Sequence, residues 1–154
     1  MSKIKFIRQP SNKDCGPTCL SIMANYFDND VSVERLKEYS YTNLMGTSLE
    51  GMIVAGEKIG LKFEGFELDS IDELKEENLP CICNTINKDG FSHFVVIYKI
   101  IKNYVYYVDP AIGKIKEDKK EFQKKATNIV LLLTEETKKG RDDNSIKTRT
   151  FYIE

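Results

Sequence analysis

The sequence predicts an α+β fold in which three helices come first and an antiparallel sheet follows. Apolar residues recur at three- and four-residue spacing in three early segments, around residues 15–27, 33–39 and 49–59. After Gly60 the spacing changes to strand-like alternation, and the tetrapeptide N-K-D-G at 87–90 is a strong hairpin signal. Because helices and strands are segregated along the chain, a βαβ architecture is not expected.

The first helix is predicted to begin around Cys15 and to end near Tyr26 or Phe27. Pro17 suits its first turn, where the N–H that proline lacks would have no partner in any case. Its apolar face is formed by Cys19, Leu20, Ile22, Met23, Tyr26 and Phe27. Cys15 then lies at the helix N-terminus, where unpaired N–H groups and the positive end of the helix dipole favour a thiolate.

Two further helices are expected before the sheet. Ser32 can cap residues 33–39, and Thr47 or Ser48 can cap a helix that runs to Ile59. Gly60 is a suitable residue to end that helix. Residues 3–7 are predicted to form a short strand or an extended lead-in.

Strand-like runs make up most of the second half, with two short helices predicted at 70–77 and 118–125. The runs are residues 61–66, 79–86, 92–101, 104–108 and 129–133. From residue 135 the chain is polar. We therefore expect one folded domain over 1–134 and a linker or tail over 135–154.

Composition excludes several classes of function. The 154 residues are 41% hydrophobic, enough for one domain with a core. The 23 basic and 24 acidic residues give a net charge of −1, so no nucleic acid partner is expected. No signal peptide is recognisable, and no apolar run approaches the ~18 residues of a membrane span. We expect a soluble, cytoplasmic protein.

The four cysteines do not have the spacing of a zinc site. Cys15-x3-Cys19 and Cys81-x-Cys83 differ from the C-x2-C of zinc ribbons, and His93 is the one histidine. Cys19 lies on the apolar helix face, and the later pair alternates within a predicted strand. We expect Cys19 in the core, Cys81 and Cys83 on one face of their strand, and neither a metal nor another cofactor.

A nucleophilic cysteine needs a base and a group that orients the base. His93 lies in the predicted strand 92–101, and Asp109 follows the strand 104–108. An odd-length loop near Lys102 would place both side chains on one face as diagonal neighbours, whereas a two-residue loop would place them on opposite faces. The triad hypothesis therefore predicts an odd loop. Each residue alone also has an ordinary structural interpretation as a core or turn residue.

Gln9 lies six residues before Cys15 and can bring a side-chain amide to an oxyanion, beside the backbone N–H of Cys15. Five ordered features then stand in the sequence: Gln9, Asp14-Cys15-Gly16-x-x-Cys19-Leu20, Gly46-Thr47-Ser48-Leu49, His93-Phe94-Val95-Val96 and Asp109-Pro110-x-x-Gly113. Together they resemble the papain-like peptidase domain of bacteriocin- and lanthipeptide-processing ABC transporters. The resemblance covers about residues 3–134.

The resemblance implies a cysteine endopeptidase that cuts leader peptides after Gly-Gly or Gly-Ala during export. By position, Cys15 is the nucleophile, His93 the general base and acid, Asp109 the orienting residue and Gln9 the oxyanion donor. The resemblance also implies a partner peptide whose helical leader lies in an apolar groove. A narrow cleft that excludes a Cβ would select the glycines, and its candidate lining is Met45, Gly46, Thr47, Ser48 and Leu49.

The transmembrane and nucleotide-binding parts of such a transporter are implied partners, and no G-x4-G-K-[ST] motif occurs in these residues. We therefore interpret the chain as the N-terminal domain of a transporter, on the cytosolic face of the membrane, with a stand-alone peptidase as the alternative. Two other interpretations stay open. One is a leader-binding module without hydrolytic activity, and the other is a different cysteine enzyme on the same scaffold, such as a transglutaminase-like or amidase activity.

Overall fold

The computed structural model describes residues 3–42, 46–135 and 137, and it confirms the α+β prediction. The helices are α1 (Cys15–Tyr26), α2 (Val33–Tyr39), α3 (Leu49–Lys58) and α4 (Lys119–Lys125). The strands are β1 (Phe63–Glu67), β2 (Cys81–Ile86), β3 (Ser92–Ile101), β4 (Tyr104–Asp109), β5 (Gly113–Asp118) and β6 (Ala126–Leu133). In the described part of the chain these strands form one antiparallel sheet, in the order β1-β6-β2-β3-β4-β5.

The sheet separates two hydrophobic layers. On one side α1, α2 and α3 cover alternate residues of the central strands, among them Ile82 and Val96. On the other side α4 and the segment before β2 cover the intervening residues, among them Cys83 and Val95. Both layers are closed to solvent, so each central strand is apolar on both faces.

Side-chain caps fix the two predicted helix starts after α1. Ser32 Oγ accepts a hydrogen bond from the Arg35 N–H at 3.2 Å, and Ser48 Oγ accepts one from the Gly51 N–H at 2.9 Å. Gly60 follows α3 with a φ of +86°, the left-handed conformation that glycine adopts at helix ends. None of the helices in the described segments is long and apolar enough to cross a bilayer.

The β3–β4 hairpin does not have the predicted odd loop. Ile101 pairs with Tyr104, so the loop contains two residues, 102–103. Lys102 adopts a φ of 53° to close this tight turn. By the loop alone, His93 and Asp109 would lie on opposite faces of the sheet.

A bulge in β3 reverses that outcome. Between Ile97 and Lys99 the register shifts by one residue, so that Ile97 pairs with Tyr107 and Tyr98 is the extra residue. This one extra residue in β3 has the same effect on side-chain direction as an odd-length loop would have. Because side chains alternate along a strand, His93 and Asp109 return to the same face.

Strand β5 was not predicted from the sequence. This strand pairs with β4 along its whole length, from Asp109↔Gly113 to Tyr104↔Asp118. Its residues, G-K-I-K-E-D, include a single apolar side chain, Ile115. Lysine-rich edge strands of this kind avoid pairing with other chains and carry little hydrophobic signal.

The predicted helix over 70–77 is also wrong. The structure has two short 3₁₀ turns there, Ile71–Glu73 and Glu76–Asn78, separated by extended backbone at Leu74 and Lys75. A continuous helix would place the acidic residues 72 and 76, and 73 and 77, one turn apart, where like charges repel. The broken arrangement still buries Ile71 and Leu74.

At Gly56, helix α3 packs closely against the segment that leads into β1. A Cβ at this position would lie 2.7 Å from the Leu61 carbonyl oxygen and 2.7 Å from Cδ2 of the Phe63 ring. Despite the better helix propensity of alanine, Gly56→Ala should lower the free energy of unfolding by about 1–3 kcal/mol. Urea unfolding measures this, with the exposed α3 substitution Glu57→Ala as the control. Equal stability of Gly56→Ala and wild type would contradict the packing described.

Candidate active site

Cys15 is the first residue of α1 and is 8% exposed. The preceding residue, Asp14, does not cap the helix, because its carboxylate is engaged elsewhere. Ser11 Oγ donates to Asp14 Oδ2 at 2.9 Å, and Lys37 Nζ pairs with Asp14 Oδ1 at 3.3 Å. The first N–H groups of α1 therefore remain available to negative charge that develops at Cys15.

His93 and Asp109 form a buried pair beside this helix end. Nε2 of His93 lies 2.8 Å from Asp109 Oδ1, and the two side chains are 13% and 12% exposed. The Ala111 N–H donates to the same Asp109 oxygen at 2.8 Å, which fixes the carboxylate. With Nε2 committed to Asp109, Nδ1 is the ring nitrogen left for Cys15.

The pKa values of the pair follow from these contacts. Burial alone would lower the pKa of His93, but hydrogen bonds with Asp109 and Cys15 raise it to about 9. Burial alone would raise the pKa of Asp109, but hydrogen bonds from His93 and the Ala111 N–H bring the pKa of that carboxyl below its ordinary value. At neutral pH the pair is therefore an imidazolium and a carboxylate.

Gln9 is held next to both parts of the site. Its N–H donates to the Pro110 carbonyl at 2.9 Å, which ties the lead-in segment to the turn that follows Asp109. Its Nε2 donates to the Ser11 carbonyl at 2.8 Å, just before α1. Among the described residues, Gln9 Oε1 is buried without a hydrogen-bond partner. The role of Gln9 as an oxyanion donor stays a prediction, and it needs the second Nε2 proton.

Part of the predicted glycine-binding loop lies against the first turn of α1. A Cβ on Gly16 would be 3.3 Å from Thr47 Cβ, so the loop approaches the residue next to Cys15. Gly46, Thr47 and Ser48 line a cleft of about 460 Å³. Leu49 packs against the helix-side core, outside the residues that line this cleft. Met45 lies outside the described residues.

The other three cysteines are core residues, as was predicted for Cys19. Cys19, Cys81 and Cys83 are all 0% exposed. Burial raises the pKa of the Cys19 thiol well above its ordinary value and that of Cys83 to about 12. In the residues that the structure describes, no group of three or more His, Cys, Asp or Glu side chains is placed to hold a metal ion.

Lys125 belongs to the surroundings of the site and was missed in the sequence. Its Nζ donates to the Tyr107 hydroxyl at 2.8 Å and pairs with Glu117 Oε1 at 2.9 Å. Its charge also helps to keep the pKa of Asp109 low. A lysine at the end of a short polar helix gives no sequence signal of this placement, which depends on the unpredicted strand β5.

A thiol at a helix N-terminus, facing an imidazole–carboxylate pair on neighbouring strands, is the arrangement of a papain-like cysteine peptidase. The Peptidase C39 family model matches residues 3–138. The chain therefore belongs to the C39 family of cysteine peptidases.

Individual matches support the assignment to this family. The chain is 34% identical over 128 residues to the lactococcin-G-processing and transport ATP-binding protein LagD of Lactococcus lactis subsp. lactis, covering 82% of this chain and 18% of LagD. The peptidase domain of Streptococcus ComA, a bifunctional ABC transporter involved in quorum sensing, has a TM-score of 0.77 and 26% identity, over 85% of this chain and 98% of that one.

A double glycine motif protease from an AMS/PCAT transporter, solved in complex with the leader peptide, also has a TM-score of 0.77. It is 27% identical and matches 85% of this chain and 91% of its own. The chain spans about a fifth of the length of the curated relatives it matches.

Proposed function

We propose that this chain cuts precursor peptides of the bacteriocin or lanthipeptide class after a Gly-Gly or Gly-Ala motif and releases the leader from the mature peptide. The observation that carries the proposal is the 2.8 Å contact between His93 and Asp109, on an imidazole that also hydrogen-bonds to Cys15. The processing proteins among the relatives supply the substrate class. Family membership favours peptide hydrolysis over a transglutaminase-like activity or a purely leader-binding module.

Acylation begins with attack of Cys15 Sγ on the carbonyl carbon of the second motif residue. The resulting oxyanion accepts hydrogen bonds from the Cys15 N–H and from Gln9 Nε2. When this intermediate collapses, the C–N bond breaks and the His93 imidazolium donates its Nδ1 proton to the departing amine. The leader remains attached to Cys15 as a thioester, and the mature peptide leaves.

Deacylation uses the same groups in the opposite direction. His93, now neutral, accepts a proton from water, whose oxygen attacks the thioester carbonyl carbon. The C–S bond breaks, the leader departs as a carboxylic acid that loses its remaining proton to solvent, and the Cys15 sulfur and the imidazolium return to their starting state. Asp109 accepts the Nε2 hydrogen bond throughout and stabilises each imidazolium.

The loop beside Gly16 supports glycine selection. Thr47 packs close to Gly16, the residue that follows Cys15. In this proposal the loop narrows the approach to Cys15, so that a substrate residue without a Cβ fits and a larger residue is excluded by contact. Tyr41 and Val54 line the cleft that contains Thr47 and are 70% and 38% exposed. They offer apolar contacts to a helical leader segment.

The parent protein is proposed to be an exporter. In this proposal residues 1–134 form the peptidase domain, residues 135–154 lead towards the membrane-spanning and nucleotide-binding parts, and the site faces the cytosol. Cleavage would then be coupled to transport of the released peptide.

The substrate proposal is tested with a panel of synthetic precursor peptides that carry double-glycine leaders. Mass spectrometry after incubation should show one cut, immediately after the motif. Matched peptides with valine in place of the second glycine should be cut at least about tenfold more slowly, because a branched side chain does not fit the cleft. Cleavage at unrelated positions, or equal rates for glycine and valine, would contradict the proposal.

The raised pKa of His93 predicts the alkaline limit of activity. The imidazolium is needed to protonate the leaving amine, and it loses its proton as pH rises through about 9. We expect kcat/KM for the Gly-Gly peptide to fall on the alkaline side near pH 9. Asp109→Asn removes a cause of the raised pKa, so the limit should move to lower pH. An unchanged limit in that variant would contradict the assignment of the limit to His93.

A further inference from the structure

A second cleft lies on the imidazole side of the site. It has a volume of about 390 Å³, within the ~300–1,000 Å³ typical of ligand pockets. His93 and Asp109 form part of its wall, while Ile86, Lys88 and Ile112 stand at its mouth. The cleft that Gly46, Thr47 and Ser48 line contains neither His93 nor Asp109. The two clefts are therefore separate.

The chemistry assigns a direction to the substrate across this site. His93 must donate a proton to the departing amine, so that nitrogen has to lie within hydrogen-bond reach of the imidazole. The residue that carries the nitrogen is the first residue of the mature peptide. Its side chain and the residue after it must then continue along the wall that His93 forms. In the proposed function the leader glycines lie on the other side, towards Thr47.

The second cleft combines exposed apolar side chains with an unbalanced positive charge. Ile86 and Ile112 are 41% and 65% exposed, although most large aliphatic side chains of the described chain are buried. The charge of Lys125 is matched by Glu117, and the His93 imidazolium is matched by Asp109. Lys88 forms no ion pair within the described residues.

The backbone around Lys88 has a fixed geometry. Lys88 lies in the β2–β3 turn, where Asn87 Oδ1 accepts hydrogen bonds from the N–H groups of Asp89 and Phe91, at 2.9 and 3.0 Å. Asp89 follows Lys88 in this turn but is not part of the cleft lining. The positive charge at the mouth is therefore presented by a turn with fixed geometry.

We propose that this cleft binds the first two residues of the mature peptide and selects among substrates by their side chains. It favours an apolar residue directly after the cut, which contacts Ile86 and Ile112, and it disfavours lysine or arginine at either position because of Lys88. This inference rests on the proposed function. It adds that specificity extends past the glycines into the released peptide.

The test uses peptides that share one leader and one Gly-Gly motif and differ only in the two residues after the cut. With isoleucine rather than serine in the first position, kcat/KM should rise about fourfold, the effect of roughly one buried methylene. With aspartate rather than lysine in the second position it should rise about two- to fivefold, as expected for an exposed charge pair. The charge effect should weaken in high salt, whereas the isoleucine effect should remain.

Two variants connect these preferences to the cleft. Lys88→Glu should reverse the aspartate–lysine order, and Ile112→Ser should reduce the preference for isoleucine. The controls are Lys116→Glu, whose exposed side chain extends from the other face of the sheet, and Ile101→Ser, at the far end of β3. Neither control should change the preferences.

The outcomes separate this inference from the function on which it depends. Efficient cleavage with rates independent of the two residues, or preferences unchanged in Lys88→Glu and Ile112→Ser, would overturn the cleft assignment and leave leader cleavage standing. Absence of any cleavage after Gly-Gly across the whole panel would overturn both.

Discussion

Cys15→Ala should abolish peptide cleavage while the domain stays folded and still binds the leader. The substitution removes one sulfur atom from a side chain that is only 8% exposed, and it leaves the backbone of α1 unchanged. Without a nucleophile no thioester forms, so kcat/KM should fall by about 10⁴-fold or more, to or below the detection limit. Mass spectrometry of the cleavage reaction measures the loss, and circular dichroism with a fluorescent leader peptide measures folding and binding.

Cys83→Ser is the matched control for this loss. Cys83 is also buried, its thiol donates to the Asn84 carbonyl at 3.6 Å, and a serine hydroxyl can replace that donor. This variant should retain activity, at some cost in stability. Residual activity of Cys15→Ala near the wild-type level would remove the nucleophile assignment, and equal losses in both variants would indicate a structural effect instead.

His93→Ala should reduce kcat/KM almost as far as Cys15→Ala, and further than Asp109→Asn. Removal of the imidazole eliminates both the proton acceptor for the thiol and the proton donor for the leaving amine. Asp109→Asn is milder because a single oxygen, Oδ1, accepts from both His93 and Ala111, and an asparagine oxygen can keep both bonds. What is lost is the negative charge that stabilises the imidazolium.

The expected loss for Asp109→Asn is therefore smaller than the ~10⁴-fold that a wrong imidazole tautomer costs in a serine protease triad. Steady-state kinetics on one Gly-Gly peptide gives the order of the two variants directly. An Asp109→Asn rate equal to wild type would reduce Asp109 to a turn residue. A His93→Ala rate higher than that of Asp109→Asn would contradict the general acid–base role.

The His93–Asp109 contact was predicted from the sequence, but its structural cause was not. The limits of the strand at residues 92 and 101 could be predicted from the alternation of side chains. That alternation also required an odd number of residues in the connection, so that His93 and Asp109 share a face. The structure meets this requirement with a bulge at Tyr98 and a two-residue loop. Nothing in the local pattern marks the bulge, because the alternation alone does not show which of Tyr98 and Lys99 is the extra residue.

The elements that escaped prediction have weak apolar patterns or depend on distant parts of the chain. Strand β5 has Ile115 as its one apolar residue and is defined by its pairing with β4. The helix predicted at 70–77 had suitable apolar spacing, but its acidic residues repel at helical spacing. Lys125 reaches Tyr107 and Glu117 across 18 and 8 positions of sequence. Local periodicity carries no information about such contacts.

The proposed mechanism requires the His93 imidazolium to hold the Cys15 sulfur in a reactive form. This requirement can be measured as the rate of alkylation by limiting iodoacetamide at pH 6, followed residue by residue by peptide mass mapping. We predict that Cys15 reacts far faster than the buried Cys19, Cys81 and Cys83, and that His93→Ala removes this advantage. If the Cys15 rate is unchanged in His93→Ala, the proposed role of His93 is wrong.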